Sequence, residues 1–131
     1  PAAALRPELL AGAERILFRT REHHDHRIWR DDFTALGPEA AAVLAQAGIV
    51  LVGIDTPSMD HAASKALDGH HTLFHGGVAI LENLDLTGVP TGDYELIALP
   101  LRIVGGDSSP VRAILRELPS GASPLPTRTP S

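Results

Sequence analysis

Two adjacent histidines, His70 and His71, stand a short connection ahead of a carboxylate, Glu82, that closes the apolar run Val78-Ala79-Ile80-Leu81. An ionised carboxylate in such a run is costly to bury unless something positive meets it. A histidine and a carboxylate brought together offer one nitrogen and one oxygen donor, the ordinary material of a divalent-metal site. Asp55, Ser58, Asp60 and Lys65 crowd the segment before His70. Asp55-Thr56-Pro57-Ser58 reads as turn chemistry, with side chains that bond their own backbone. Asp60 either shares that structural role or orients a metal-bound imidazole from behind. On residue type alone, Glu82 equally reads as a strand-end carboxylate facing solvent or paired with an arginine such as Arg102. The histidine pair equally reads as a helix start, one ring capping and the other exposed.

Other constellations are weaker. His23, His24, Asp25 and His26 form a polar cluster with metal-ligand residue types, but clustered histidines on a polar loop are usually solvated. Trp29, the only tryptophan, lies in the same loop and either covers a pocket or packs at a subunit contact. His61 and His75 match no motif and read as structural. The glycines lack the G-x-G-x-x-G spacing of a dinucleotide fingerprint. No G-x-S-x-G elbow is present, which argues against a serine hydrolase.

The elements that must position these residues follow from pattern. Arg15 to Thr20 has an apolar centre and charged ends, as a strand would. Glu22 to Asp32 is polar and reads as a long loop. Pro38 begins a helix at a position where its missing N–H costs nothing. Glu39 suits the positive end of the dipole, Ala40 to Ala47 propagate the helix, and Gly48 ends it in the left-handed region. Ile49 to Ile54, short, continuous and branched, predicts a fully buried strand, so the three elements suggest a parallel crossover unit. Asp55 to Asp60 then lies at a strand's C-terminal end, where open sheets collect ligands. Ala62 to Gly69 predicts a helical turn or irregular segment, and His71 to His75 a short helix. Val78 to Leu81 predicts a strand, Leu86 to Asp93 a turn-rich loop, and Tyr94 to Val104 a long strand interrupted at Pro100. Val111 to Leu118 alternates and makes a last strand. Arg6 to Ala13 suits a short helix after a loose start.

Composition bounds the rest. At 131 residues the chain is one domain's worth, with a net charge of −5 and no cysteine. Disulfides and thiolate chemistry are excluded, and a cytoplasmic location fits. No basic patch with interleaved aromatics suggests nucleic acid, and no apolar run suggests a membrane span. The proline- and serine-rich stretch 119–131 predicts a disordered tail. The expected organisation is a loose segment over 1–13, a folded portion over 14–118 and that tail.

Four stretches carry a resemblance when read in order: L-F-R-T-R-E, then A-L-G-P-E-A-A-A-V-L-A-Q-A-G-I-V-L-V-G-I-D-T-P-S, then I-L-E-N-L-D-L, then G-D-Y-E-L-I-A-L-P-L. From about Ile16 to Leu118 the chain resembles the bacterial kynurenine formamidases (arylformamidases) of the cyclase-like metal hydrolases. The resemblance implies an α/β fold with a mixed β-sheet and flanking helices, of the swivelling β/β/α type. It implies two zinc ions, with Glu82 bridging them and His70, twelve residues earlier as in the family, holding one. His71 is left a supporting role. The implied reaction is hydrolysis of N-formyl-L-kynurenine to L-kynurenine and formate in tryptophan degradation, by a homodimer. The family's H-x-G-T-H-x-D-x-P-x-H segment, which carries the other ligands and a proton-transferring histidine, has no counterpart here. The chain therefore reads as the C-terminal portion, with the remaining ligands expected from a missing N-terminal segment or a partner chain. It is then a fragment, one of two polypeptides, or a truncated relative kept as a binding or oligomerisation module; a cyclase-like amide or lactone hydrolase of another substrate is a further reading.

Overall fold

A computed structural model describes residues 5, 10, 12–23, 25 and 27–119. Residues 120–131 of the expected tail, most of the expected first helix, and His24 and His26 lie outside the described residues. The chain forms two units, 1–89 and 90–131.

The first unit is built on three strands, β1 (Arg15–Phe18), β2 (Leu51–Ile54) and β3 (Ala79–Leu81), and two helices, α1 (Pro38–Gln46) and α2 (Asp68–His75). All three strands run parallel in the order β1-β2-β3, with Arg15 opposite Leu51 and Leu51 opposite Ala79. Each parallel pairing is bridged by one of the helices, as parallel topology requires. The central strand is the most deeply buried, which is why its sequence is continuously apolar.

One turn chemistry delivers both inner strands. Gly48 has φ 78° and Gly77 φ 71°, the left-handed region that favours glycine. After α1, Gly48 N–H donates to Ala45 O (3.2 Å) and Ile49 N–H to Leu44 O (3.2 Å). After α2, Gly77 N–H donates to Phe74 O (3.0 Å) and Val78 N–H to Leu73 O (2.9 Å). These are paired Schellman caps, which satisfy carbonyls the helix would otherwise orphan. The apolar residue after each glycine, Ile49 or Val78, joins Leu44 and Leu73 in one core with Val52, Ile54 and Met59. Truncating Leu44, which is fully buried, to alanine would cost about 2–5 kcal/mol.

α2 starts at Asp68, three residues before the sequence-predicted helix, and so includes His70. Its N-terminus follows Leu67, held at φ 52° without a side-chain cap of its own. The capping groups come from elsewhere in the chain, as described below.

The second unit is an antiparallel ribbon of β4 (Tyr94–Pro100) and β5 (Val111–Glu117), with Tyr94 opposite Glu117 and Pro100 opposite Val111. Pro100 ends β4 rather than interrupting a strand to Val104, because proline cannot extend the ladder. Parallel and antiparallel pairings thus occupy separate sheets instead of one mixed sheet. Leu99, Ile103, Val104 and Ile114 are exposed. Among the described residues no helix is long and apolar enough to cross a membrane.

Candidate functional site

The parallel sheet sends three loops off the C-terminal ends of its strands: Thr20–Arg21 after β1, Asp55–Asp60 after β2, and Glu82–Asn83 after β3. Sheet polarity brings these ends together, and the chemistry-bearing residues gather there.

Asp60 is nearly buried, with 5% of its side chain exposed. Its Oδ1 accepts Gly69 N–H (2.8 Å), and its Oδ2 accepts His70 N–H (3.0 Å) and meets His70 Nδ1 at 2.7 Å. The carboxylate therefore caps the first turn of α2 from ten residues away, satisfying N–H groups and facing the positive helix end. Burial pushes the Asp60 carboxyl up, but the His70 ring and the N–H groups of His70 and Gly69 outweigh it and hold the carboxyl below its usual range. Gly69 is required by this contact, since a Cβ there would stand 2.8 Å from Asp60 Oδ1.

His70 continues the chain of contacts. Its Nε2 lies 3.0 Å from Glu82 Oε1, and the two side chains keep 29% and 28% of their surface exposed. Glu82 sits one residue past β3, not within it, which puts its carboxylate at the sheet end. Met59 N–H donates to the same Oε1 (2.7 Å). Asn83, at φ 61°, turns the chain, and Asn83 N–H and Leu84 N–H tie it to Thr56 O (2.9 Å) and Ile54 O (3.1 Å). Among the described residues, Glu82 Oε2 accepts no hydrogen bond.

The chemical consequence follows from the donor inventory. Ionised Asp60 only accepts, so the ring proton belongs on Nδ1 and the lone pair of neutral His70 is on Nε2. A carboxylate oxygen, Glu82 Oε1, lies close to that nitrogen. Two acceptors 3.0 Å apart are stable only with a proton or a cation between them. The separation is close to the roughly 3.3 Å that two donors at about 2.0–2.1 Å make on a tetrahedral ion. The donor types, the fixed tautomer and the supporting carboxylate fit a divalent metal. They supply only part of a coordination shell, and no group of three or more metal-ligating side chains occurs among the described residues.

The other candidate residues fall elsewhere. His71 is exposed on the far side of α2, its ring stacked on His75 with centroids 6.3 Å apart. His23, His61 and Lys65 are exposed. Ser58 Oγ accepts Asp60 N–H (3.1 Å), a local turn bond of the expected kind. Asp55 departs from that expectation. It reaches 35 residues back to Thr20, accepting its N–H (2.9 Å) and its hydroxyl (2.8 Å), and so pins the loop after β1. Thr56 Oγ1 likewise donates to the remote Thr34 O (2.9 Å), with a longer contact to Ser58 O in its own turn (3.4 Å).

Similarity to known proteins extends over most of the chain. The Cyclase family model, described as "Putative cyclase", matches residues 6–61. Kynurenine formamidase of Bordetella avium is 53% identical over 117 residues, covering 86% of this chain and 56% of the relative. That of Bordetella petrii is 55% identical over 104 residues, covering 79% and 50%. A solved structure described as a predicted metal-dependent hydrolase from Bacillus stearothermophilus superposes with a TM-score of 0.62 at 39% identity, over 66% of this chain and 42% of that one. Another, described as a potential metal-dependent hydrolase with cyclase activity, gives 0.64 at 39% identity, over 69% and 45%. The chain spans about half the length of the curated relatives it matches. By sequence and by fold, then, this chain is similar to the kynurenine formamidases and to cyclase-like metal-dependent hydrolases over about half of their length.

Proposed function

We propose that this chain carries part of the metal site of an amide hydrolase acting on N-formyl-L-kynurenine, releasing L-kynurenine and formate. The observation that carries the reading is the line Asp60–His70–Glu82, with contacts of 2.7 and 3.0 Å. His70 Nε2 and Glu82 would hold the metal, zinc by its preference for this nitrogen and oxygen donor set. The residues would give such an ion a place from which it would supply Lewis acidity and a bound water of pKa about 7. The protein's own work is positional. Asp60 keeps the His70 proton on Nδ1, Met59 N–H fixes one oxygen of Glu82, and Oε2, which accepts no hydrogen bond among the described residues, would be available as a further donor. The remaining ligands and the proton-transferring histidine come from an H-x-G-T-H-x-D-x-P-x-H segment outside this sequence. The ribbon's exposed Leu99, Val104 and Ile114 support a homo-oligomer, and the cysteine-free composition supports the cytoplasm.

The test is reconstitution. Alone, the chain is expected to bind zinc weakly, since two side-chain donors leave a tetrahedral site half filled. Co-expressed with a polypeptide bearing the missing segment, it should hydrolyse N-formyl-L-kynurenine, and Glu82→Ala should abolish the activity. Tight stoichiometric zinc binding by the chain alone, measured by calorimetry, would mean that the ligand set is wrong.

A further inference from the structure

A cavity of about 200 Å³ is lined in part by chain neighbours of the proposed metal-site residues. Its walls include Arg21, Trp29, Phe33, Pro57 and Asn83. Pro57 and Asn83 tie it to the site: Asn83 follows Glu82, and Pro57 lies two residues before Met59, whose N–H holds Glu82. One wall is aromatic. Trp29 meets the buried Phe33 edge-on, with centroids 6.2 Å apart and planes at 77°, and keeps 68% of its own surface exposed. An exposed indole braced by a buried ring is a ready surface for another aromatic ring.

The opposite chemistry comes from arginine. Arg27 and Arg30 also line the cavity, but each is paired in a fork with a neighbouring carboxylate, Asp25 or Asp32. Arg21 differs. Its guanidinium donates to a main-chain carbonyl, Asp32 O (3.0 Å), and feels the Asp32 carboxylate only at a distance, with no ion pair within 4.0 Å among the described residues. Four of its five N–H donors are left for another acceptor. Its position is fixed by Asp55, which grips Thr20 and also accepts Arg21 N–H (3.4 Å). A buried carboxylate at the end of β2 thus holds a cation at the cavity wall.

We propose that this cavity is the substrate-recognition subsite, taking the aryl ring against Trp29 and the substrate's carboxylate on Arg21. This rests on the reading of the chain as part of an aryl-formamide hydrolase and adds the residues that select an anionic aryl substrate. It makes Asp55 a positioning residue, acting through Thr20 and Arg21.

Trp29 is the only tryptophan, so its fluorescence reports on the cavity directly and needs neither metal nor catalysis. The 131-residue chain is titrated with 3-benzoylpropionate and with butyrophenone, which share the aryl ketone and differ in the carboxylate. The expected result is a saturable change with both, the anion binding about tenfold tighter or more, the worth of one charge-assisted hydrogen bond. Added salt should narrow that gap. Arg21→Gln should bring the two affinities together, and Arg21→Lys should restore part of the difference. Equal affinity for the two ligands in the unaltered chain, or no saturable change with either, overturns the proposal whatever the variants do. Failure of the wider reading looks different: the anion preference would persist while the reconstituted protein left N-formyl-L-kynurenine intact.

Discussion

Replacing Asp60 by alanine should do two separable things. The first is to loosen α2. Three donors, Gly69 N–H, His70 N–H and His70 Nδ1, lose their acceptor at once. Hydrogen bonds to a charged group contribute about 1.5–3 kcal/mol each, and a buried orphaned N–H costs about 1–3 kcal/mol. Water can replace the carboxylate at half-exposed His70 more easily than at buried Gly69. The losses are therefore not additive, and a destabilisation of about 2–5 kcal/mol is expected in urea unfolding. Asp60→Asn, which keeps one acceptor oxygen, should lose less. The second effect is on the ring. With Asp60 gone, Glu82 is the carboxylate left beside His70, at 3.0 Å from Nε2. The proton should move from Nδ1 to Nε2, and the metal donor is then lost. Nitrogen-15 spectra of the imidazole, taken where the ring is neutral, distinguish the two tautomers. Divalent-metal affinity should fall about 10–100-fold, the usual size for removing a ligand's supporting partner. A variant that keeps the proton on Nδ1 and binds metal as before would refute the reasoning, whatever its stability.

Further expectations follow from the same contacts. The Asp60 carboxyl is held below its usual range in the folded chain, so the unfolded chain binds more protons in acid. The stability it contributes is present above the unfolded value of about 3.9 and is lost as pH falls through the lower folded value. Urea midpoints should therefore decline below about pH 4, and by less in Asp60→Ala. Gly69→Ala sets a Cβ against Asp60 Oδ1 and should cost about 1–3 kcal/mol while weakening metal binding with it. The ribbon buries too little alone to be stable as two strands. Light scattering should find the chain associated, and a clean monomer would count against a homo-oligomer.

Much of this was legible in the sequence, for physical reasons that can be named. Pro38, the alanine run and Gly48 fix one helix and its end, and the continuous apolar stretch after Gly48 has no stable place except a central parallel strand. The pairing of His70 with Glu82 came from motif wording and spacing, and the structure brings their atoms to 3.0 Å. Less legible was everything that depends on contacts remote in sequence. Asp55 and Asp60 looked like turn residues because their nearest neighbours are turn residues. Asp55 in fact reaches Thr20, and Asp60 caps a helix whose start the sequence placed three residues too late. A signal was available: the local text before Asp68 offers no cap, so α2 needed an acceptor from elsewhere. Trp29 was open between a pocket and a subunit contact, and it lines a cavity with Phe33 and Pro57. The ribbon's division into a separate sheet was not readable either, because alternation marks a strand but not its partner.

In the proposed site His70 and Glu82 share one cation. The most direct measurement is manganese titration of isotopically labelled chain, followed by nuclear magnetic resonance, which detects even the weak binding expected of an incomplete site. Paramagnetic broadening should appear first at His70 and Glu82 and at the amides of Met59 and Asn83, and zinc should reverse it. Broadening centred on the exposed His71 and His75 rings, with Glu82 left sharp, would contradict the account.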